Sequence, residues 1–491
     1  MGVSICQFLD MTVANVALPH MRTSLGAGMD TISWVLTSYI IAGAILMPLT
    51  GWIADRVGSR NLFLASTAGF VVTSMLCGAA NSLTQMVIFR ALQGVCSAFI
   101  GPLSQTIIYD INPPSRQPKA MALWGTVVMV APISGPFIGG FLTDTLNWRW
   151  VFYVNLPVGI PSLVLLWWLL PSRPVFKRKL DIFGACTLGL GLGALQLVMD
   201  RGQSNDWLQS PEVVIELLIA LCALWVFVVH FRSIAHPIFN RTLVADGNFM
   251  VALLFMAVLG VANVGLASVL PTMYQGIYGY SVMDTGLLMA PRGLGVITMM
   301  LVVNRLLGRV DARFFISIGY FLAAISMLMM TRWSLVMSAT PIILSGYVQG
   351  LGLGLIFVPM NLIAFGSLAP EYRTDGATLM ALFRNLGSSF GISVITTVIA
   401  RNLQTSHADI AGHVTSVNIP VLDPAFTAGR LGSAGTALLS IMDMEVNRQA
   451  LMIAYLDNFY LMFWMLLIFA PLAWLLRKPP KRTLPQAVPA E

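Results

Sequence analysis

Charge is what this sequence has least of. Only 10% of its 491 residues are charged while 57% are hydrophobic, and mean hydropathy is +0.79. Ordinary soluble domains carry about 25% charged residues, so a soluble globular protein is excluded and most of the mass belongs in a bilayer. Histidine is equally scarce. The five (His20, His230, His236, His407, His413) fall in loops or at span ends, which leaves no polar catalytic cluster at membrane depth for an integral membrane enzyme. The five cysteines (Cys6, Cys77, Cys96, Cys186, Cys222) all lie in apolar runs, with no C-x-x-C pair and no histidine at ligand spacing. They read as small core residues, with neither a disulfide framework nor a metal site. The net charge of +7 is spread over many short loops, so nucleic acid is not an expected partner. A cleavable signal peptide is missing as well: the first apolar run ends at Leu18-Pro19 without a small-x-small site.

What is abundant is long apolar runs. A helix crossing the hydrocarbon core needs about 20 apolar residues. Fourteen such runs are present, at 2–20, 32–53, 62–80, 85–108, 120–142, 150–170, 182–199, 213–231, 248–270, 285–304, 314–331, 338–363, 376–400 and 451–476. The fold class is therefore an all-α polytopic membrane protein. Connections are short except for residues 401–450, a polar stretch expected to be a loop with an amphipathic segment near Leu438–Asn447. Alternate loops and the C-terminal tail hold 18 basic residues and the opposite loops 7. The positive-inside rule then places both termini in the cytoplasm and the 401–450 loop outside. Met1 opens the first run without a basic flank, so the natural start is expected upstream of it.

An internal echo divides the chain. Span 4 reads Ala91-Leu92-Gln93-Gly94 and reaches Pro102; span 12 reads Tyr347-Val348-Gln349-Gly350 and reaches Pro359. The basic loop after span 2 has a counterpart after span 10. An offset of eight spans suits two six-span halves with two spans inserted between them, and repeated halves around a midplane site are how secondary transporters are built. The expected units are 1–170, the inserted 171–247, 248–476 with the 401–450 loop, and a cytoplasmic tail at 477–491.

Of the 21 acidic residues, Asp10 alone sits well inside a span. An ionisable group at that depth is costly and points to function. Arg90 and Gln93 open span 4, and a buried guanidinium stays charged and needs partners; Asp10 and Arg90 are the expected pair. Arg292 and Arg384 also fall inside or at the edge of spans. The loop Gly51-Trp52-Ile53-Ala54-Asp55-Arg56-Val57-Gly58-Ser59-Arg60 combines turn-forming glycines with charges, Asp55, Arg56 and Arg60, that can cluster at a membrane edge. Span 5 carries Pro132, Gly135, Pro136, Gly139 and Gly140, small residues that let helices approach beside prolines that bend them.

Together with Leu9–Pro19, Asn147–Gly159 and Gly286–Gly293, these motifs resemble the signature set of the major facilitator superfamily. More narrowly they resemble its fourteen-span drug:proton antiporters of the EmrB/QacA type, and the stretch Asn447–Phe459 looks closest to the EmrB-like pumps. The resemblance covers essentially the whole chain. It implies the major facilitator fold, with fourteen transmembrane helices in two six-helix halves plus two inserted central helices. It assigns proton coupling to Asp10 and Arg90, a gating loop to Gly51, Asp55, Arg56, Gly58 and Arg60, and an antiporter motif to Gly135, Pro136, Gly139 and Gly140. Ser59 stands where the family usually has a second basic residue. A cavity between spans 1, 4, 5 and 9, 12, 13 is expected to use Thr12, Asn15, Gln93, Gln349 and Asn361.

The implied activity is proton-driven efflux of lipophilic compounds across the inner (cytoplasmic) membrane by alternating access, with no cofactor beyond the proton gradient. Spans 9–13 hold no acid, which favours neutral, anionic or singly charged substrates over dications. Membrane lipids, protons and lipophilic small molecules are the expected partners, and the resemblance adds a periplasmic adaptor and an outer-membrane channel. The alternatives are a proton-coupled transporter of one small metabolite, an importer included, a membrane enzyme, and a sensor or scaffold without transport. The span 5 motif and the fourteen spans speak against an importer.

Overall fold

The computed structural model describes residues 1–113, 116–171, 179–306, 309–366, 368–413 and 433–477. Its long helices are α1 (Gly2–Ser24), α2 (Trp34–Val57), α3 (Ser59–Ala79), α4 (Leu83–Ile111), α5 (Gln117–Thr145), α6 (Trp150–Leu169), α7 (Ile182–Arg201), α8 (Pro211–Ser233), α9 (Gly247–Gly276), α10 (Val282–Leu306), α11 (Ala312–Met330), α12 (Thr340–Gly366), α13 (Arg373–His413) and α14 (Ser433–Leu472). Each of α2 to α13, and the Ser440–Leu475 stretch that takes in most of α14, is long and apolar enough to cross a membrane. α1 is more polar, carrying Gln7, Asp10, Thr12 and Asn15.

Helices α1 to α6 pack among themselves, as do α9 to α14, while α7 and α8 pair with each other. The inserted α7 also lies against α2 and α13, so it touches both halves. Side chains tie it there: Gln196 donates to Ser389 Oγ at 2.9 Å, and Thr37 donates to Asp200.

In lipid, helix association relies on close packing at small residues, and the two Gln-Gly echoes are such points. A Cβ on Gly94 would strike the Tyr39 carbonyl of α2, and one on Gly350 the Arg292 carbonyl of α10. Two interruptions shape the interior. A 3-10 turn at Met47–Leu49, with Pro48, breaks α2, and a π-helical turn at Val261–Gly265 breaks α9 near its middle, a feature frequent at functional sites.

The 401–450 stretch differs from expectation. It continues α13 to His413 and opens α14 at Ser433, so Leu438–Asn447 is helical; residues 414–432 lie outside the described residues. Asn402 donates to Asp457 at 3.1 Å and His407 pairs with Asp443 at 3.1 Å, joining the two extensions. Polarity marked where the apolar runs stop, and helical backbone tolerates polar side chains once it is outside the lipid. The basic tail beyond Arg477 is also outside the described residues.

Candidate functional site

Asp10 is fully buried on α1, and side chains of two other helices, α4 and α6, supply its donors. Arg90 Nη1 donates to Oδ2 at 2.6 Å, Gln93 Nε2 to Oδ1 at 3.2 Å and Asn155 Nδ2 to Oδ1 at 3.0 Å. An ionised carboxylate is an acceptor with about four lone-pair sites, and this arrangement fills most of them. Arg90, itself fully buried, is held from several directions. Its Nε donates to the Val35 carbonyl at 3.0 Å and its Nη1 to Gln93 Oε1 at 2.8 Å, with the Tyr39 ring 4.3 Å away. Asn155 also donates to Ser74 Oγ at 3.0 Å, and that hydroxyl donates to the Phe152 carbonyl at 2.9 Å. The node therefore joins α1, α2, α3, α4 and the chain entering α6, inside an apolar shell that includes Leu9, Val13 and Val35.

Beside it lies a cavity of about 1010 Å³, counting space open to solvent. Phe8, Met11 and Thr12 of α1, Met129 of α5, Asn263 of α9 and Arg384 of α13 are among its walls. Asp10 is not in the lining. Tyr39 is, and the same ring covers Arg90, so one side chain separates the ion pair from the cavity. The three methionines in the lining, Met11, Met47 and Met129, are flexible and polarizable and adapt to varied ligands.

Of the polar residues expected in the cavity, Thr12 lines it and the other four are elsewhere. Asn15 is exposed at the following turns of α1. Gln93 is fully buried and engaged with Asp10 and Arg90. Asn361 accepts a hydrogen bond from Gln105 and donates to the Phe357 carbonyl at 2.8 Å. Gln349 is fully buried next to the α10–α12 crossing, with both amide atoms unpaired among the described residues.

The span 5 glycines act on α1. A Cβ on Gly135 would collide with Thr12, and one on Gly139 would press on Val13. Gly140 and Val282 meet in the same way against α10, and Pro136 is buried between them. These residues seat α5 on the helix that carries Asp10.

Gly58 has φ of +92° and ends α2, a conformation that suits glycine. Gly51 leaves room for Asp375 of the other half. Arg56 lies 5.3 Å over Trp52, and Arg60 donates to the Trp167 carbonyl at 2.6 Å. Asp55 lies in the last turns of α2, among these groups. At this end the halves also touch through Asp110 and Arg373 at 3.4 Å and through the Tyr109 and Phe365 rings, with centroids 4.6 Å apart.

Asn155, Tyr39, Asn263 and Arg384 are the site residues that spacing did not single out. Asn155 lies within the Asn147–Gly159 stretch, where its own motif was the only signal.

The Major Facilitator Superfamily model matches residues 1–392. The chain is similar to the multidrug export protein EmrB of Escherichia coli (strain K12), 30% identical over 480 residues, which cover 96% of this chain and 93% of that protein. It is equally similar to the fatty acid resistance protein FarB of Neisseria gonorrhoeae, 30% identical over 475 residues, covering 96% and 94%. Among solved structures, the human organic anion transporter MFSD10 (TETRAN) superposes with a TM-score of 0.57 at 14% identity, over 95% of this chain and 98% of that one.

Proposed function

The chain belongs to the Major Facilitator Superfamily as an EmrB-like multidrug efflux transporter and not an enzyme, and we propose that it exports lipophilic compounds against an inward flow of protons through Asp10 and Arg90. The observation that carries the proton step is the fully buried Asp10–Arg90 pair at 2.6 Å, one side chain behind the wall of a mostly apolar cavity. A buried ion pair is poor evidence for stability, and a midplane acid in a transporter is costly unless it works.

In this scheme Asp10 takes a proton from the outer side when Arg90 shifts its hydrogen bonds toward Val35 and Gln93. Return of Arg90 to the carboxylate drives the proton inward. Each charge moved across 100 mV is worth about 2.3 kcal/mol, which supports roughly a 50-fold substrate gradient. The gradient alone supplies the energy, with no cofactor. The halves rock about the α5–α10 contact, and the Gly51–Asp375 and Asp110–Arg373 contacts close one end. The basic-loop bias makes that end cytoplasmic in the inner membrane, with both termini inside. The α13 and α14 extensions then project outward. There Ile441 and Met444 are 61% and 69% exposed, which fits docking of a periplasmic adaptor that leads to an outer-membrane channel.

The test is uptake of a lipophilic dye into inverted vesicles, wild type against Asp10→Asn, with and without a pH gradient. Dye movement that needs both the gradient and Asp10 supports the reading. Gradient-driven pumping by the variant would sink it.

A further inference from the structure

The cavity has a charge of its own, and it is positive. Arg384 is 7% exposed and lines the cavity, and among the described residues its guanidinium has neither a hydrogen bond nor an ion pair. The Phe8 ring centroid lies 5.2 Å from the guanidinium carbon. No acidic residue is among the described residues that line the cavity. Arg90 and Asp10 neutralise each other behind the wall, so they do not balance this cation. A buried cation without a partner is costly, and arginine cannot shed its charge; a cavity that keeps one open is built for an anion.

The backbone holds Arg384 in place. Its carbonyl packs against Gly260 of α9, where a Cβ would strike it, and Gly387 meets the Ala257 carbonyl in the same way. This fixes the α13 turn beside the π-helical turn of α9. Asn263, Asn385 and Ser389 also line the cavity and offer side-chain donors around a head group. Phe8, Met11, Met129 and Leu259 offer an apolar bed for the rest of a ligand.

We propose that Arg384 anchors an anionic head group and that the cavity takes lipophilic monoanions, carboxylates first. The planar guanidinium matches a carboxylate with two parallel hydrogen bonds. The inference rests on the exporter reading and deepens it by naming the substrate class. It also has an energetic consequence. Moving one anion out and one proton in transfers two charges in the direction that an interior-negative potential favours, so anion export gains more from the membrane potential than export of a neutral compound.

The test uses the purified full chain in nanodiscs, at fixed pH and without a gradient. Its probes are a dansyl-tagged medium-chain carboxylate, the methyl ester of the same chain and its quaternary-ammonium analogue. Wild type should bind the carboxylate about tenfold or more tightly than the ester, a difference of about 1.4 kcal/mol, and the ammonium analogue more weakly than either. Arg384→Gln should bring the carboxylate-to-ester ratio close to one. Arg384→Lys, which keeps a point charge and loses the planar fork, should keep a reduced preference, and it carries the test if the glutamine variant melts. Equal binding of carboxylate and ester by wild type would overturn the proposal. So would a carboxylate preference that survives in Arg384→Gln, because the anion would then be held elsewhere. Gradient-driven transport of the carboxylate by wild type vesicles is scored separately: its failure would sink the exporter reading and leave the binding ratio standing.

Discussion

The two halves repeat one packing scheme and spend it on different chemistry. In the first half the Gln-Gly turn of α4 meets the Tyr39 carbonyl of α2, and Gln93 together with Arg90 grips Asp10. In the second, the equivalent turn of α12 meets the Arg292 carbonyl of α10. There, among the described residues, Arg292 donates to the carbonyls of Ala262 and Asn263, at 3.3 and 2.8 Å, and to Asn263 Oδ1 at 3.2 Å. Among the described residues no ion pair reaches Arg292. One buried arginine faces a carboxylate that can take a proton. The other props open the π-helical turn of α9. The repeat supplies the frame, and a single acid sets the first half apart as the one to which the proposed proton step is assigned.

The sharpest way to break this contrast is to neutralise one arginine at a time. Arg90→Met leaves Asp10 buried without its cation, and breaking a buried pair from one side costs about 3–5 kcal/mol. Thermal melting should fall accordingly, and gradient-driven export should drop to background. Asp10→Asn should lose export as completely. The double variant Asp10→Asn with Arg90→Met should recover much of the melting temperature and none of the export, because the cost of the stranded charge disappears with the pair. Arg292→Met strands no charge. It removes donors from backbone carbonyls, worth about 1–3 kcal/mol, and should leave dye export dependent on the gradient. Loss of gradient dependence in Arg292→Met would show that the second half handles protons too.

The next test acts on what the halves share. Gly94→Ala and Gly350→Ala each force a methyl group against a neighbouring carbonyl, and overpacking of this kind typically costs about 1–3 kcal/mol. Melting temperatures should fall by similar amounts. Export should separate them, since Gly94→Ala displaces the backbone of Tyr39, whose ring covers Arg90, whereas Gly350→Ala displaces Arg292. A variant pair with equal export at equal melting would weaken the assignment of proton handling to the first half.

How much of this was legible follows from what each residue type signals. A carboxylate in an apolar run is anomalous by itself, so Asp10 was visible, and an arginine at the head of span 4 was its natural partner. The α5 glycines were visible as a small-residue face, and the structure shows which helix they face. Asn155 was not visible as a ligand, because an asparagine at a helix start, two residues before a proline, normally signals a turn or cap. Gln93 and Gln349 looked equivalent in sequence; only tertiary packing tells that one is engaged by Asp10 and the other is enclosed. Asn361 reads as a cavity residue because it is polar within an apolar run, yet Gln105 from the opposite half takes it up. The extensions of α13 and α14 were missed because hydropathy reports the lipid boundary, and helical structure runs past it. Arg384 was noted only as an arginine inside or at the edge of a span, and its orientation toward the cavity is a property of the α9–α13 crossing.

The smallest expected effect lies where the halves meet. The side chains of Asp110 and Arg373 are 11% and 10% exposed and 3.4 Å apart, across the interface at the end that carries the gating loop. Partly solvated ion pairs contribute on the order of 0–1 kcal/mol. Asp110→Asn should therefore shift the balance between the two access states by no more than about fivefold, without abolishing transport or moving the melting temperature measurably. Distance measurements between spin labels on the 54–61 and 364–375 segments would read that shift directly. The exchanged pair, Asp110→Arg with Arg373→Asp, should restore the original distribution, because the attraction is restored with its sign pattern reversed. If the single variant leaves the distribution unchanged, closure at this end rests on the Tyr109–Phe365 contact and the close approach at Gly51. The comparison between the halves would then be sharpened: charge would be used for coupling within the first half and play no part in holding the two halves together.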